Sequence, residues 1–446
     1  MRAADWLLPG LGHWRLGFRR EARKYVLFLG IWLAVVVLRR ERIVQLYDFA
    51  GPTESTVALA FLALWPVAWA LAARRGLRRL LSPAGRESLS QWQIALGMMR
   101  RNARCVLGVR MLGVAYMIAF LCPVLAPYDP ERTPPDTIVN KLAPPFSTVY
   151  VLGDRERGEI YCRAFRLEEG GAVFLDRAEE FAHARVRLDA LGEPHGGWKR
   201  PPTGARSLGG VTVPFREELH LLGTDDVGID LFSLLVYGSR ISLSIGFVAM
   251  AIAVALGALV GTAAGYAGKW TDFCLMRVVD VLMAFPRLLL LLLIYAAYAA
   301  AMMDTSIFLV VAVLGATGWM GIARLVRAQV LSLKEQDFAT AARALGFGHW
   351  RVMMRHLLPN SLAPLIVDAT LRVGDTILTE AALSFLGMGV RKPTPSWGNI
   401  VEGGAKVLHE AWWVATLPGL AIVAVVVSFN LVGDALRDAM DPKLRH

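Results

Sequence analysis

Asp337-Phe338-Ala339-Thr340-Ala341-Ala342-Arg343-Ala344-Leu345-Gly346 is the stretch on which the reading of this chain turns. It runs on through Phe347-Gly348-His349-Trp350 to Leu357-Leu358-Pro359-Asn360. Asp337 is suited to an N-cap, because its carboxylate can accept from the free amides of a first turn. Ala339, Ala341, Ala342 and Ala344 are strong helix formers, and Gly346 supplies a stop. A second short helix can start at His349, and it is expected to end near Leu358, because the residue before a proline is pushed out of helical geometry. Phe338, Ala341, Ala342 and Leu345 fall at i, i+3, i+4 and i+7, which predicts one shared face. That face is nearly all methyl groups, so another protein's surface can approach it closely. The local pattern fits equally an Ala-rich surface helix between two membrane spans.

The surroundings of this stretch are membrane-like. The chain has 446 residues, 55% of them hydrophobic and 19% charged. Its mean hydropathy is +0.45, and a soluble domain carries nearer a quarter of charged residues. The net charge of +11 does not form the patch that a nucleic-acid binder needs. The arginines sit instead beside apolar runs, the signature of cytoplasmic loops. Four cysteines are too few for a disulfide scaffold.

In chain order, a basic segment at residues 1–24 precedes an apolar run from Tyr25 to Leu38, followed by Arg39-Arg40 with no cleavage site, so the run is read as retained. A second run covers Thr56 to Ala73. Together they predict an N-terminal hydrophobic hairpin within residues 1–75. Residues 76–104 are a basic linker, with Arg78, Arg79, Arg86, Arg100, Arg101 and Arg104 against a single Glu87. Residues 105–126 form a first core span. Residues 127–230 lack any long apolar run. Val149–Leu152 and Ala172–Leu175 predict strands, and Gly153-Asp154 and Gly170-Gly171 predict turns, in a small β-containing extracytoplasmic insert. Thr224 or Asp225 is expected to cap a short interfacial helix that holds Leu231, Phe232, Leu234 and Leu235. Five further spans are expected within residues 231–446, with an inner loop over 324–360. Arg277 and Asp280, three apart, are expected to pair.

The span over Ser361–Leu386 is the most polar, with Asp368, Arg372, Asp375 and Glu380. Charged groups at membrane depth face a bundle interior or a water-filled cavity. These four are therefore candidates to line a translocation path; mutual neutralisation about Arg372 is the alternative.

Four strings carry a resemblance. The stretch around Thr340-Ala341-Ala342, with Gly346 and Leu358-Pro359, resembles the "EAA" loop of binding-protein-dependent ABC transporter permeases, with Thr340 where that family has Glu. His220–Asp230 running into Tyr237-Gly238-Ser239-Arg240 is similar to the entry motif of the dipeptide/oligopeptide/nickel class. Met276–Pro286 resembles the same class. So do Leu383–Gly389 and Pro393–Asn399. The resemblance covers residue 105 onward and implies an all-α polytopic membrane protein. Its core would be a six-span importer permease, and the N-terminal hairpin and the β-containing insert would be additions to it. It implies coupling residues at Asp337, Thr340, Ala341, Ala342, Leu345, Gly346, Leu358 and Pro359. It also implies a homologous second permease, two cytosolic ABC ATPases, a solute-binding protein and a bacterial inner-membrane location with both termini inside. No phosphate-binding loop occurs in the sequence, so ATP and Mg belong to the partner ATPase and this chain is expected to carry no cofactor. A membrane-embedded enzyme using 361–386, or a scaffold, is the rival reading; no nucleophile–base set supports the enzyme.

Overall fold

A computed structural model of the chain describes residues 91–130, 141–300 except the turns and ends around the inner strands of the insert, 307–440, and a few positions near 32–37 and 59–60. Most of the expected hairpin, residues 1–24, Asp304 and the final six residues lie outside the described residues.

The helices are α1 (Gln91–Arg101), α2 (Ala103–Phe120), α3 (Cys122–Leu125), α4 (Leu231–Ala267), α5 (Lys269–Ala284) and α6 (Arg287–Ala300), then α7 (Ile307–Leu333), α8 (Asp337–Ala344), α9 (His349–Val352), α10 (Leu358–Phe385), α11 (Trp397–Lys406) and α12 (Trp412–Met440). Among the described residues, α2, α4, α7 and α12 are long and apolar enough to cross a membrane, and α5 with α6, bent by 87°, forms a fifth candidate. The bend falls at Phe285-Pro286, where proline cannot continue a helix. The 28-residue α10 is as long as these, but every stretch of 18 residues in it holds at least three of Asp368, Arg372, Asp375 and Glu380.

The interfacial helix and the next span are one continuous helix of 37 residues, α4. This corrects the expected break, and the cap is Asp230, whose Oδ2 accepts from Ser233 N at 2.8 Å. Gly238 does not interrupt the helix, because its bare backbone seats Trp397 and Ile400 of α11. At about 1.5 Å per residue α4 outruns a hydrocarbon core of ~30 Å, so it projects beyond the bilayer.

α4 packs most extensively on α7. Small residues let helices close up in lipid, where the hydrophobic effect does not drive them together. A Cβ on Gly257 would lie 2.6 Å from Ile322, one on Gly261 2.5 Å from the Ala323 carbonyl, and one on Gly265 2.9 Å from the Arg327 carbonyl. α10 meets α4 where Gly246 receives Ile377, and α12 where Gly433 receives Leu371. By contrast α5 and α6 leave Trp270, Phe273, Phe285, Leu289 and Leu293 exposed.

The insert holds β1 (Ser147–Asp154), β2 (Gly158–Cys162), β3 (Ala164–Glu168), β4 (Ala172–Asp176), β5 (His183–Arg187), β6 (Ala205–Leu208) and β7 (Val211–His220). They form antiparallel sheets in the orders β2-β1-β7-β6 and β3-β4-β5. Gly153 and Asp154 end β1 rather than turning. Ser147 pairs with His220, so the insert leaves and rejoins the helical core at one point. An insertion with adjacent ends disturbs its host least. Val35 and Leu59 pack on Leu121 and Val124 beyond the end of α2.

Candidate functional site

The loop that opened the sequence reading is held by both of its ends. α8 starts one residue earlier than expected: Gln336 is the N-cap with no side-chain bond, and Asp337 is the first helical residue. Asp337 therefore acts on the helix dipole rather than as a cap. The other end follows the expectation. Gly346 has φ +77°, Phe347 N donates to the Ala342 carbonyl at 3.2 Å and Gly346 N to that of Arg343 at 3.0 Å. These two bonds are the Schellman closure, which places a left-handed residue after the helix and so favours glycine.

The methyl face divides differently from the expected one. Ala339 and Ala342 are buried in the same hydrophobic core as Val352 and Leu357, on which Phe338, Phe347 and Leu358 also pack. Asp337, Ala341, Ala344 and Leu345, at i, i+4, i+7 and i+8, point outward. Leu345 is 73% exposed and Trp350 67%. Thr340, also exposed, accepts from Arg343 Nη2 at 3.2 Å. Arg343 also donates to the Lys334 carbonyl at 2.9 Å, which ties α8 to the end of α7. His349 Nδ1 meets the Tyr266 hydroxyl at 2.8 Å, which ties α9 to α4.

The helix from His349 does not end before Pro359. One π turn, Met353–Leu357, carries it into α10. Leu358 N reaches back five residues to the Met353 carbonyl, and Pro359 falls in the first turn of α10. There its missing N–H costs nothing. Asn360 Nδ2 donates to the His356 carbonyl at 2.6 Å. The path from His349 to Phe385 is helical throughout.

The two aspartates of α5 pair across to α7 rather than locally. Asp280 pairs with Arg324 of α7 at 2.5 Å, while Arg277 lies over the Phe273 ring, 5.1 Å from its centroid. This replaces the expected Arg277–Asp280 pair. Asp272 takes Arg327 in a two-point bond. On α10, Arg372 Nε donates to Asp368 Oδ2 at 2.5 Å, and Asp375 is exposed.

Glu380 stands apart from these three. It is fully buried, accepting from Ser384 Oγ at 2.8 Å and from Ser242 Oγ at 3.4 Å. Ser242 Oγ in turn accepts from Trp397 N at 3.1 Å, so Glu380 fastens the outer loop to α4 and α10. A periodicity argument along α10 alone misses this, because the partners lie on other elements.

The outer motif knits two core segments together. Thr224 Oγ1 accepts from Ala143 N at 2.8 Å. Gly223 has φ +80°, and a Cβ there would also strike the Ala143 carbonyl. Asp230 Oδ1 accepts from His220 Nδ1 at 3.0 Å. Asp225 caps its own turn, accepting from Val227 N at 3.0 Å and Ile229 N at 2.8 Å. Burial pushes its carboxyl up to about 6, against the pull of Lys392 Nζ at 3.7 Å.

The apolar helices and the α8–α9 loop presented outside their bundle define a polytopic membrane protein. The chain belongs to the binding-protein-dependent transport system inner membrane components, a family that matches residues 234–446. The N-terminal transmembrane domain of oligopeptide transport permease C matches residues 90–145. The interval between the two matches contains the seven strands. The dipeptide transport system permease protein DppC of Alkalihalophilus pseudofirmus is 42% identical over 226 residues, 51% of this chain and 73% of that protein. DppC of Escherichia coli is 45% identical over 51% of this chain and 74% of its own length. The glutathione transport system permease protein GsiD of Pectobacterium atrosepticum is 39% identical, covering 51% and 73%.

Proposed function

We propose that this chain is one half of the passage of an ATP-driven peptide importer in a bacterial cytoplasmic membrane, with both termini inside. The observation that carries the reading is continuity. An outward face of Asp337, Ala341, Ala344 and Leu345 sits on a capped helix packed against an unbroken helical path from His349 to Phe385. A push on that face is delivered to the span that holds Asp368, Arg372 and Asp375. The ATPases supply ATP and Mg; two of them, a homologous second permease and a solute-binding protein complete the assembly. ATP binding that favours one arrangement of α8 shifts the spans toward one access state, because coupling requires differential contact in two states. The exposed apolar faces of α5 and α6 are suited to lipid and to the second permease.

The domain limits follow the same reading: a hairpin in 1–75, a basic linker at 76–104, the first span at 105–126, the outer insert at 127–230 and the core at 231–446. The insert docks the solute-binding protein; transport that survives deletion of residues 149–210 removes that role. The import reading is tested in cells that carry the whole transporter, by uptake of a labelled dipeptide. Uptake that needs this chain and cellular ATP supports it. An unchanged rate in the deletion strain, or turnover of substrate by the purified chain alone, refutes it.

A further inference from the structure

Two guanidinium groups reach the middle of α7 from different helices, and the Nε of one of them meets no acceptor among the described residues. Arg287 opens α6 just past the Phe285-Pro286 elbow. Its Nη2 lies 3.7 Å from where a Cβ of Gly318 would stand, and Arg372 Nη2 lies 3.0 Å from where a Cβ of Gly321 would stand. Any larger residue at 321 would displace the Arg372 head, so Gly321 acts as a notch for it, whereas a Cβ at 318 would meet Arg287 only at ordinary contact distance and would crowd Ala253 Cβ at 3.1 Å instead. Gly318 and Gly321 fall midway along the 27 residues of α7, and Arg372 midway along the 28 of α10. Both heads therefore sit near mid-membrane depth, roughly 15–20 Å from the helix ends at 1.5 Å per residue.

Lower on the same row of α7, at three-residue spacing, Arg324 and Arg327 are each matched by an aspartate of α5. Arg372 is matched by Asp368. Arg287 breaks the pattern: its buried Nε meets no acceptor among the described residues. Asp375 is the complementary exception, exposed and with no hydrogen bond or ion pair to its carboxylate among the described residues. The two attract one another electrostatically, while Arg372 repels Arg287, yet they are not joined. An unjoined cation and anion at membrane depth are costly and mark a functional site.

We propose that Arg287 and Asp375, with Arg372 held by Asp368, form a mid-membrane subsite for the free termini of a zwitterionic peptide. The inference rests on the import reading above and deepens it. The paired guanidiniums are suited to a carboxylate, which such forks bind at two points. Asp375 is suited to an ammonium group. Residue 321 has to stay small to keep the notch for Arg372.

The test is uptake by cells that carry the whole transporter, using a dipeptide with free termini, its C-terminal amide and its N-acetyl derivative, with chain abundance in membranes followed in parallel. The solute-binding protein is the same in every strain, so a change in preference between strains reports this chain. Arg287→Gln is expected to lower the free-to-amide uptake ratio at least tenfold, and Arg287→Lys to restore most of it. Asp375→Asn is expected to lower the free-to-acetylated ratio instead. A merely structural lesion lowers all three peptides together and leaves the ratios unchanged, and that result overturns the subsite. A wild-type strain that takes up free and amidated peptide equally overturns the subsite while leaving the import reading in place. A wild-type strain that takes up no peptide overturns the import reading, and the subsite with it.

Discussion

Ala341 and Ala342 are chain neighbours with opposite fates, and an aspartate at each separates docking from folding. Ala341 points outward from α8, whereas Ala342 is 4% exposed and belongs to the hydrophobic core. In the isolated chain, Ala341→Asp loses only helix propensity, about 0.6 kcal/mol. Once an ATPase covers that face, the new carboxylate is desolvated without a partner, at about 3 kcal/mol. At about 1.4 kcal/mol per decade, docking weakens on the order of a hundredfold. Ala342→Asp places the same carboxylate inside the fold before any partner arrives. It is expected to lower the abundance of the chain itself. The assay is affinity purification of tagged chain from cells expressing the whole transporter, scoring the ATPase recovered per chain and the amount of chain in membranes. Ala341→Asp at normal abundance with wild-type ATPase recovery refutes the outward face as the docking surface. Equal losses of abundance in both variants refute the assignment of the two faces.

Gly346→Ala forces a Cβ into φ +77° and is expected to cost about 1–2 kcal/mol in α8, read as faster amide exchange over residues 337–347. Gly346→Pro also removes the bond to the Arg343 carbonyl, costs about 3 kcal/mol or more, and is expected to abolish ATPase recovery without preventing membrane insertion. Glu380→Ala strands Ser242 and Ser384 beneath the outer loop and is expected to destabilise the chain by roughly 3 kcal/mol, seen as a lower melting temperature in detergent; an unchanged melting temperature contradicts the anchoring role. Asp225 makes stability depend on pH. With its folded value raised to about 6 from 3.8, the folded chain binds the proton more tightly than the unfolded one. Stability is therefore greatest below about 4 and falls as pH rises through 6, by on the order of 3 kcal/mol in all. Asp225→Asn is expected to gain on the parent over that window, and a pH-independent difference between the two contradicts the burial argument.

Composition, the presence of several apolar spans and the four motif strings were legible in the sequence, because hydropathy, proline and glycine act locally. The Gly346 stop was legible for the same reason. Which face of α8 turns outward was not: a helix built of alanines has no hydropathy contrast to orient it, and only the hydrophobic core that Ala339 and Ala342 join decides. The partner of Asp280 was equally hidden, since Arg277 is the nearer in sequence and Arg324 the nearer in space. The expected break before Pro359 failed because one π turn shifts the bonding register by a residue and leaves the proline where no donor is required. Glu380 reads like its charged neighbours on α10, and only the outer loop folded over it sets it apart.

The glycine seam between α4 and α7 has a mechanical consequence. With backbone and side chain nearly touching at Gly257, Gly261 and Gly265, these two helices cannot slide or part there without opening a void along about two turns. They behave as a stator plate. α10 meets α4 and α12 through the isolated sockets at Gly246 and Gly433, an arrangement that permits rocking about a point. On the proposed import reading, a displacement delivered at α8 would be taken up as a swing of α10 about Ile377 and Leu371.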